Sequence, residues 1–333
     1  MNACLFKGKI KKAWLRGKMI LNEFFAKCKY YSIRYAIYSS AWWIGWYFRN
    51  FKSLLNWGFR EKTKWIDCYV KNKYGFILEK YRTMHQSNQH CEEYPIWVFW
   101  YQGVEQMPKL VKACYTQLQK NNPNEVKLVH SKNIGSYIDI PDYIFSKLDK
   151  GIITYTHFSD IVRVSLLVKY GGLWVDATCW TNAKIPQKIG EMILYSSKTN
   201  GISNLPLWSN SRWCGWGIGT CVKKNVLFLF IRDFLYEYWK TEDFLIDYLV
   251  IDFLIDLAYR EIPSIKQEID ALPENNIGRN DLWFLMNKPF DENKYKELIS
   301  DNWLFKLSYK SVLLKKTVTG ESTFYGKLVG GEL

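Results

Sequence analysis

Thr156–Cys179 reads THFSDIVRVSLLVKYGGLWVDATC, and the reading of this stretch decides the fold. Thr156 or Ser159 supplies an N-cap oxygen for a helix. The body from Ile161 to Val168 is apolar on nearly every side, which predicts a buried helix. Gly171 and Gly172 stop it, because a helix C-terminus often needs a residue at positive φ. Leu173, Trp174 and Val175 then form a strand too apolar to be solvated on either face. Asp160, Arg163 and Asp176 stand as three charges in this setting, and buried charges must be paired or bound. Two arrangements meet that demand. Asp160 and Arg163 pair internally at i,i+3 while Asp176 caps the next loop, or all three face a polar ligand at the C-terminal edge of a sheet, where open α/β sheets bind ligands.

The segments on either side support the sheet. Upstream, Ile96-Trp97-Val98-Phe99-Trp100 reads as a buried strand and Tyr101-Gln102-Gly103 as a turn. Pro108 suits the first turn of a helix running to about Lys120. Glu125 to Val129 forms a second strand, and Pro141 opens a short helix through Leu148. Strand, helix, strand, helix, strand at these spacings predicts an α/β fold with a mostly parallel sheet. Downstream, Met192–Tyr195 is a candidate strand, and the glycines of Trp213–Val222 allow backbone to approach a ligand closely. Val226–Trp239 reads as a helix. Asp243–Tyr259 reads as another, with Asp243 and Asp247 on one face and Asp252 and Asp256 nearly opposite. Lys306, Ser308 and Lys310 alternate along a short strand, so they share one face.

The N-terminal quarter has a different texture. Residues 1–82 hold 18 Lys and Arg against four acids, so the whole formal charge of +14 lives there. The recurring cations exclude a secretory signal. The longest uncharged run, Tyr35–Phe48, is shorter than the about 20 residues needed to span a bilayer. Its Trp and Tyr favour a membrane–water interface. Residues 1–93 are therefore expected to be a basic, aromatic-rich helical region, amphipathic and lying on an anionic membrane surface, or else packed by its aromatics on the following domain. Residues 83–93 read as a linker, and 94–333 as the catalytic domain. No nucleic-acid motif accompanies the charge. The eight cysteines show no CxxC pair and the four histidines no ligand spacing, so a zinc site is not expected and reduced, cytosolic thiols are.

PIWVFWYQGVEQMPKLVKACYTQLQKNNP, IDIPDYI, HFSDIVRVSLLVKYGGLWVDAT, DYLVIDFLIDLAY and KLSYK together resemble the capsular polysaccharide synthesis family of bacterial glycosyltransferases, across roughly residues 94–326. That family is similar to the larger group of sugar transferases with a DxD sugar-binding region. The resemblance implies a glycosyltransferase-A fold, a nucleotide-sugar donor and transfer of a hexose with retention of configuration. The acceptor it implies is a saccharide, lipid-linked and at the inner face of the cell membrane. Asp176, Asp160 and Arg163 carry the catalytic assignment. Trp97, Trp100, Ser159, Gly172, Thr178, Ser308 and Lys310 join them as donor-binding residues, with Asp247, Asp252 and Lys306 as support for acceptor or metal. The resemblance also implies a divalent cation, Mn²⁺ or Mg²⁺, on Asp176. Thr178, however, stands where the second DxD carboxylate is expected, and a neutral hydroxyl is a poorer ligand for a hard cation. Lys306 and Lys310 are the alternative source of positive charge. The missing carboxylate also motivates a second reading, a catalytically silent, membrane-docked scaffold.

Overall fold

The computed structural model describes residues 2–48, 51–123, 125–199 and 205–333, with side chains of the first helix from residue 13 onward. Three helices come first: α1 (Asn2–Tyr30), α2 (Ile33–Tyr47) and α3 (Lys52–Arg82). After an irregular connection the chain forms β1 (Ile96–Phe99), α4 (Lys109–Asn121), β2 (Val126–Val129), α5 (Ile134–Tyr137), α6 (Asp142–Asp149) and α7 (Tyr155–Tyr170). There follow β3 (Gly172–Val175), β4 (Cys179–Thr181), β5 (Tyr195–Ser196), β6 (Gly217–Thr220), α8 (Val226–Thr241), α9 (Val250–Glu261) and α10 (Pro263–Asp270). The last elements are α11 (Asp281–Leu285), α12 (Glu292–Ser300), β7 (Leu304–Lys306) and α13 (Phe324–Gly330).

Five strands form one sheet in the order β2-β1-β3-β6-β5. β1 runs parallel to β2 and β3, whereas β6 is antiparallel to both β3 and β5, so β6 alone reverses the common direction. Strand alternation divides the apolar side chains between two layers. Trp97, Phe99, Trp174 and Ile218 face the helices α3, α7, α8 and α9. Ile96, Val98, Leu173 and Val175 face α4 and the segment around Ile185 and Ile189. A separate two-stranded sheet pairs β4 with β7, under a third cluster built from Trp180, Phe305, Phe324 and Leu328.

α7 is buried almost end to end, as its sequence requires. Its cap is Thr154, whose side chain accepts the His157 N–H, rather than Thr156 or Ser159. The double glycine is needed twice over. Gly171 and Gly172 both adopt positive φ, and a Cβ would lie 2.2 Å from Cys91 Sγ at the first and 2.2 Å from the Pro95 carbonyl oxygen at the second.

The long helix expected from Asp243 starts only at Val250. Asp247 turns its carboxylate onto the Leu249 N–H at 3.0 Å, a local bond that competes with helix formation. The strand expected through Lys310 likewise stops at Lys306.

The N-terminal helices are not detached from the rest. α3 buries Ile66, Val70, Tyr74, Ile77, Leu78 and Tyr81, a stripe at helical spacing, in the same core as α8 and α9. Its cations meet carboxylates of the 233–261 region: Lys71 and Arg82 pair with Glu261, Lys73 with Glu242 and Lys80 with Asp233. Lys62 pairs with Asp247 at 2.9 Å, with both side chains buried. Much of the basic charge of α3 is thus paired with acids of the same chain, Lys62 in the core and the others at partly exposed positions. α1 differs. Trp14, Leu15, Leu21 and Phe25 are each at least half exposed, beside Arg16 and Lys18. Among the described residues no helix is long and apolar enough to cross a membrane.

Candidate active site

A cavity of about 500 Å³ opens beyond the C-terminal ends of β1 and β3. β1 delivers Trp100, Tyr101 and Gln102 to it, the start of α7 delivers Tyr155, Thr156 and Ser159, and β3 delivers Trp174, Asp176 and Thr178. The end of β7 and the chain after it close the cavity with Lys306, Ser308, Tyr309 and Lys310.

Backbone bonds fix this meeting. The Asp176 N–H donates to the Trp216 carbonyl at 2.9 Å, and the Cys179 N–H donates to the Asp176 carbonyl at 2.8 Å, so the chain turns sharply just after β3. Cys179 then stands opposite Lys306 in the β4–β7 register, and the Leu307 N–H donates to the Thr178 carbonyl at 3.0 Å. A residue 130 positions away in sequence is thereby set beside Asp176, with Lys306 Nζ 2.5 Å from Asp176 Oδ2.

The three charges of the central stretch form a chain of pairs. Arg163 Nη1 lies 3.1 Å from Asp160 Oδ1, and Nη2 lies 3.2 Å from Asp176 Oδ1. The Trp174 indole N–H donates to the same Asp176 oxygen at 2.8 Å. Gly215 leaves room for the guanidinium, since a Cβ there would lie 3.2 Å from Nη1. The internal Asp160–Arg163 pair is therefore present, and Asp176 joins it instead of standing apart. Asp160 and Arg163 are buried and do not line the cavity, and Asp176 is the member of the three that does. Asp160 and Arg163, expected at the donor sugar, thus stand behind Asp176 as seen from the cavity.

Electrostatics follow from this order. Burial raises the Asp176 carboxyl, but Lys306 and Arg163 outweigh it and hold the group below the ordinary carboxylate range. Burial also lowers Lys306, and the Asp176 carboxylate outweighs it and raises that ammonium. Asp160 goes the other way. Burial pushes its carboxyl up to about 7, against Arg163 and with help from Asp176 and Asp252.

Other expected site residues fall elsewhere. Trp97 is buried in the core on the helix α7 side of the sheet and donates its indole N–H to the Gly171 carbonyl at 2.8 Å. Gly172 sits at the far end of β3, packed on Pro95. Asp247 is closed off in its pair with Lys62. Asp252 accepts the Trp213 indole N–H at 3.0 Å and lines a different pocket. Trp100, Ser159, Asp176, Thr178, Lys306, Ser308 and Lys310 do meet around one space. The sequence did not single out Tyr248, Asn280, Trp283 and Tyr309, which also line it. Tyr309, edge-on to Trp100, falls on the opposite face by the alternation argument, and it reaches the cavity because the strand ends at Lys306. Tyr248 was hidden by the helix assigned over it.

The donor set around Asp176 does not suit a divalent cation. Both oxygens of Asp176 are already engaged by cations and an indole N–H. Thr178 supplies no charge, and among the described residues no group of three or more His, Cys, Asp or Glu could hold a metal ion. A hard cation wants several free anionic oxygens. The residues present do not fit one, and no step is routed through a metal.

Comparison with known proteins agrees with the motifs. The O-glycosyltransferase braB of Annulohypoxylon truncatum is 28% identical over 124 residues, covering 29% of this chain and 28% of that protein. The chain thus spans less than a third of that relative's length. The sequence model described as capsular polysaccharide synthesis protein matches residues 49–328, which takes in α3 as well as everything after it to α13. The chain belongs to the capsular polysaccharide synthesis protein family.

Proposed function

We propose that this protein is a retaining glycosyltransferase that moves a hexose from a nucleoside diphosphate sugar to a saccharide acceptor, lipid-linked, in the synthesis of capsular or other surface polysaccharide. One observation carries the reading: a cavity of about 500 Å³ lined both by aromatic rings (Trp100, Tyr155, Tyr309) and by Asp176, Lys306 and Lys310. That volume lies within the roughly 300–1,000 Å³ usual for small-molecule sites. Flat rings suit a nucleobase, and two ammonium groups suit a diphosphate. The similarity to a protein named as an O-glycosyltransferase supports the same class.

In this reading Lys306 and Lys310 neutralise the charge that grows on the departing diphosphate. Asp176 keeps Lys306 protonated and aimed. Arg163 and Asp160 act as positioning residues through Asp176. The C1–O bond to the diphosphate breaks, the acceptor oxygen bonds to C1 from the same face, and the acceptor's proton passes to the departing phosphate oxygen. No carboxylate nucleophile opposite the cavity is invoked.

In this reading α1, whose exposed apolar side chains lie among Arg16 and Lys18, docks the protein on an anionic membrane surface that carries the lipid-linked acceptor. Co-sedimentation of the full chain with phosphatidylglycerol vesicles should fall at least tenfold on Trp14→Ala with Phe25→Ala. Undiminished sedimentation would remove this part of the reading.

Mass spectrometry of products from a panel of nucleotide sugars and saccharide acceptors tests the activity itself. A product heavier by one hexose supports it. If no nucleotide sugar is turned over and none protects the chain from thermal unfolding, the silent-scaffold reading replaces it.

A further inference from the structure

A second pocket, of about 300 Å³, adjoins the first and takes one side from the N-terminal helix α2. Trp42, Trp43 and Trp46 of α2 line it, with Trp208, Tyr248 and Asp252 from the remainder of the chain. Tyr248 lines both spaces, so they share a wall. The pocket's own walls are fixed from behind. Lys62 of α3 lies under the rings of Trp42 and Trp208, 3.8 and 4.6 Å from their centroids. The Trp208 indole N–H donates to Thr63 at 3.0 Å.

Asp252 gives this aromatic setting its polar group. One of its oxygens accepts from the Trp213 indole N–H, and the other has no partner among the described residues. A lipid tail would leave that oxygen unmet. A pyranose ring would meet it, because it presents C–H groups to an aromatic face and, around its rim, hydroxyls that can donate to a carboxylate oxygen.

We infer that this tryptophan-lined pocket is the acceptor subsite. It would hold a sugar ring of the acceptor saccharide between α2 and Asp252, next to the donor cavity across Tyr248. The inference rests on the glycosyltransferase reading above. It gives the N-terminal helices a second task besides docking: α2 forms part of the substrate site.

The test uses the full chain, with methyl glycosides of glucose, galactose, mannose and N-acetylglucosamine as probes. Saturation-transfer NMR reads binding, with and without saturating UDP or GDP. At least one glycoside should receive saturation on its ring C–H protons, and nucleotide should not displace it. Trp43→Ala and Asp252→Asn should each weaken binding at least tenfold, while Trp43→Phe, which keeps a ring, should weaken it less than threefold. The proposal is overturned if no glycoside binds, if UDP or GDP displaces the glycoside, if Trp43→Ala binds undiminished, or if dodecyl phosphate displaces the sugar as a lipid site would allow. Thermal protection by the nucleotides, read on the same samples, separates the two claims. Glycosides failing while nucleotides protect removes the acceptor pocket alone, and failure of both removes the parent reading as well.

Discussion

Two carboxylates in this protein are each held by a lysine, and they differ in what can reach them. Lys62 and Asp247 lie 2.9 Å apart with side-chain exposures of 0% and 4%. Lys306 and Asp176 lie 2.5 Å apart at 26% and 27%. The closed pair ties α3 to the approach of α9 and sits under the rings of Trp42 and Trp208. Its desolvation is complete, so its worth lies in geometry and specificity rather than net energy. The open pair sits at the mouth of β3 with donors to spare. The same chemistry serves as a tie where it is sealed and as a site where it faces a cavity.

The comparison can be broken most sharply at Asp176. Asp176→Asn keeps the shape but stops holding Lys306 and Arg163 in place. Transfer should fall at least about 10³-fold, with the unfolding midpoint within a few degrees of wild type. Turnover near wild type would dissolve the distinction between the two pairs. Lys62→Met strikes the other pair and leaves Asp247 as an uncompensated buried charge. Denaturant unfolding should show a loss of about 3–5 kcal/mol, whereas an unchanged midpoint would mean the closed pair ties nothing. Lys306→Ala should lower kcat about 10²-fold, and added Mn²⁺ should not restore it. Restoration by Mn²⁺ would put a metal where the lysine is placed here.

The smallest effect concerns pH. Asp160 is raised by burial from 3.8 to about 7. Between those values the folded chain holds a proton that the unfolded chain has released, so this group takes stability away as pH rises. Asp160→Asn removes that loss. The midpoint of the variant minus that of wild type should therefore grow from pH 4 to pH 7 and level off above. A difference independent of pH would show that Asp160 is not burdened in this way.

The central stretch was readable because burial, helix stop and strand all follow from local composition. Even the choice left open for its charges proved to be a matter of degree, since Arg163 bridges Asp160 and Asp176. Trp97 and Trp100 show where locality ends. Trp97 lies within β1 and goes into the core, whereas Trp100, just past the end of β1, reaches the cavity. The partner of Asp176 was legible as a type but not as a contact, because Lys306 arrives through β4–β7 pairing that no nearby residue announces. The helix drawn through Asp243–Leu249 failed for a local reason. Asp247 bonds the backbone ahead of it and is drawn to Lys62, and that loop is what turns Tyr248 toward the cavities. The basic N-terminal quarter misled in part, because the acids that neutralise α3 lie some 150 to 190 positions later.

The claim that the open pair meets the donor diphosphate has one direct measurement, the thermal unfolding midpoint of the full chain in EDTA with and without UDP and GDP. One of the two nucleotides should raise the midpoint of the wild-type protein, and the rise should be largely lost in Lys306→Ala. A rise that appears only when Mn²⁺ is supplied, or that survives intact in Lys306→Ala, would contradict the account.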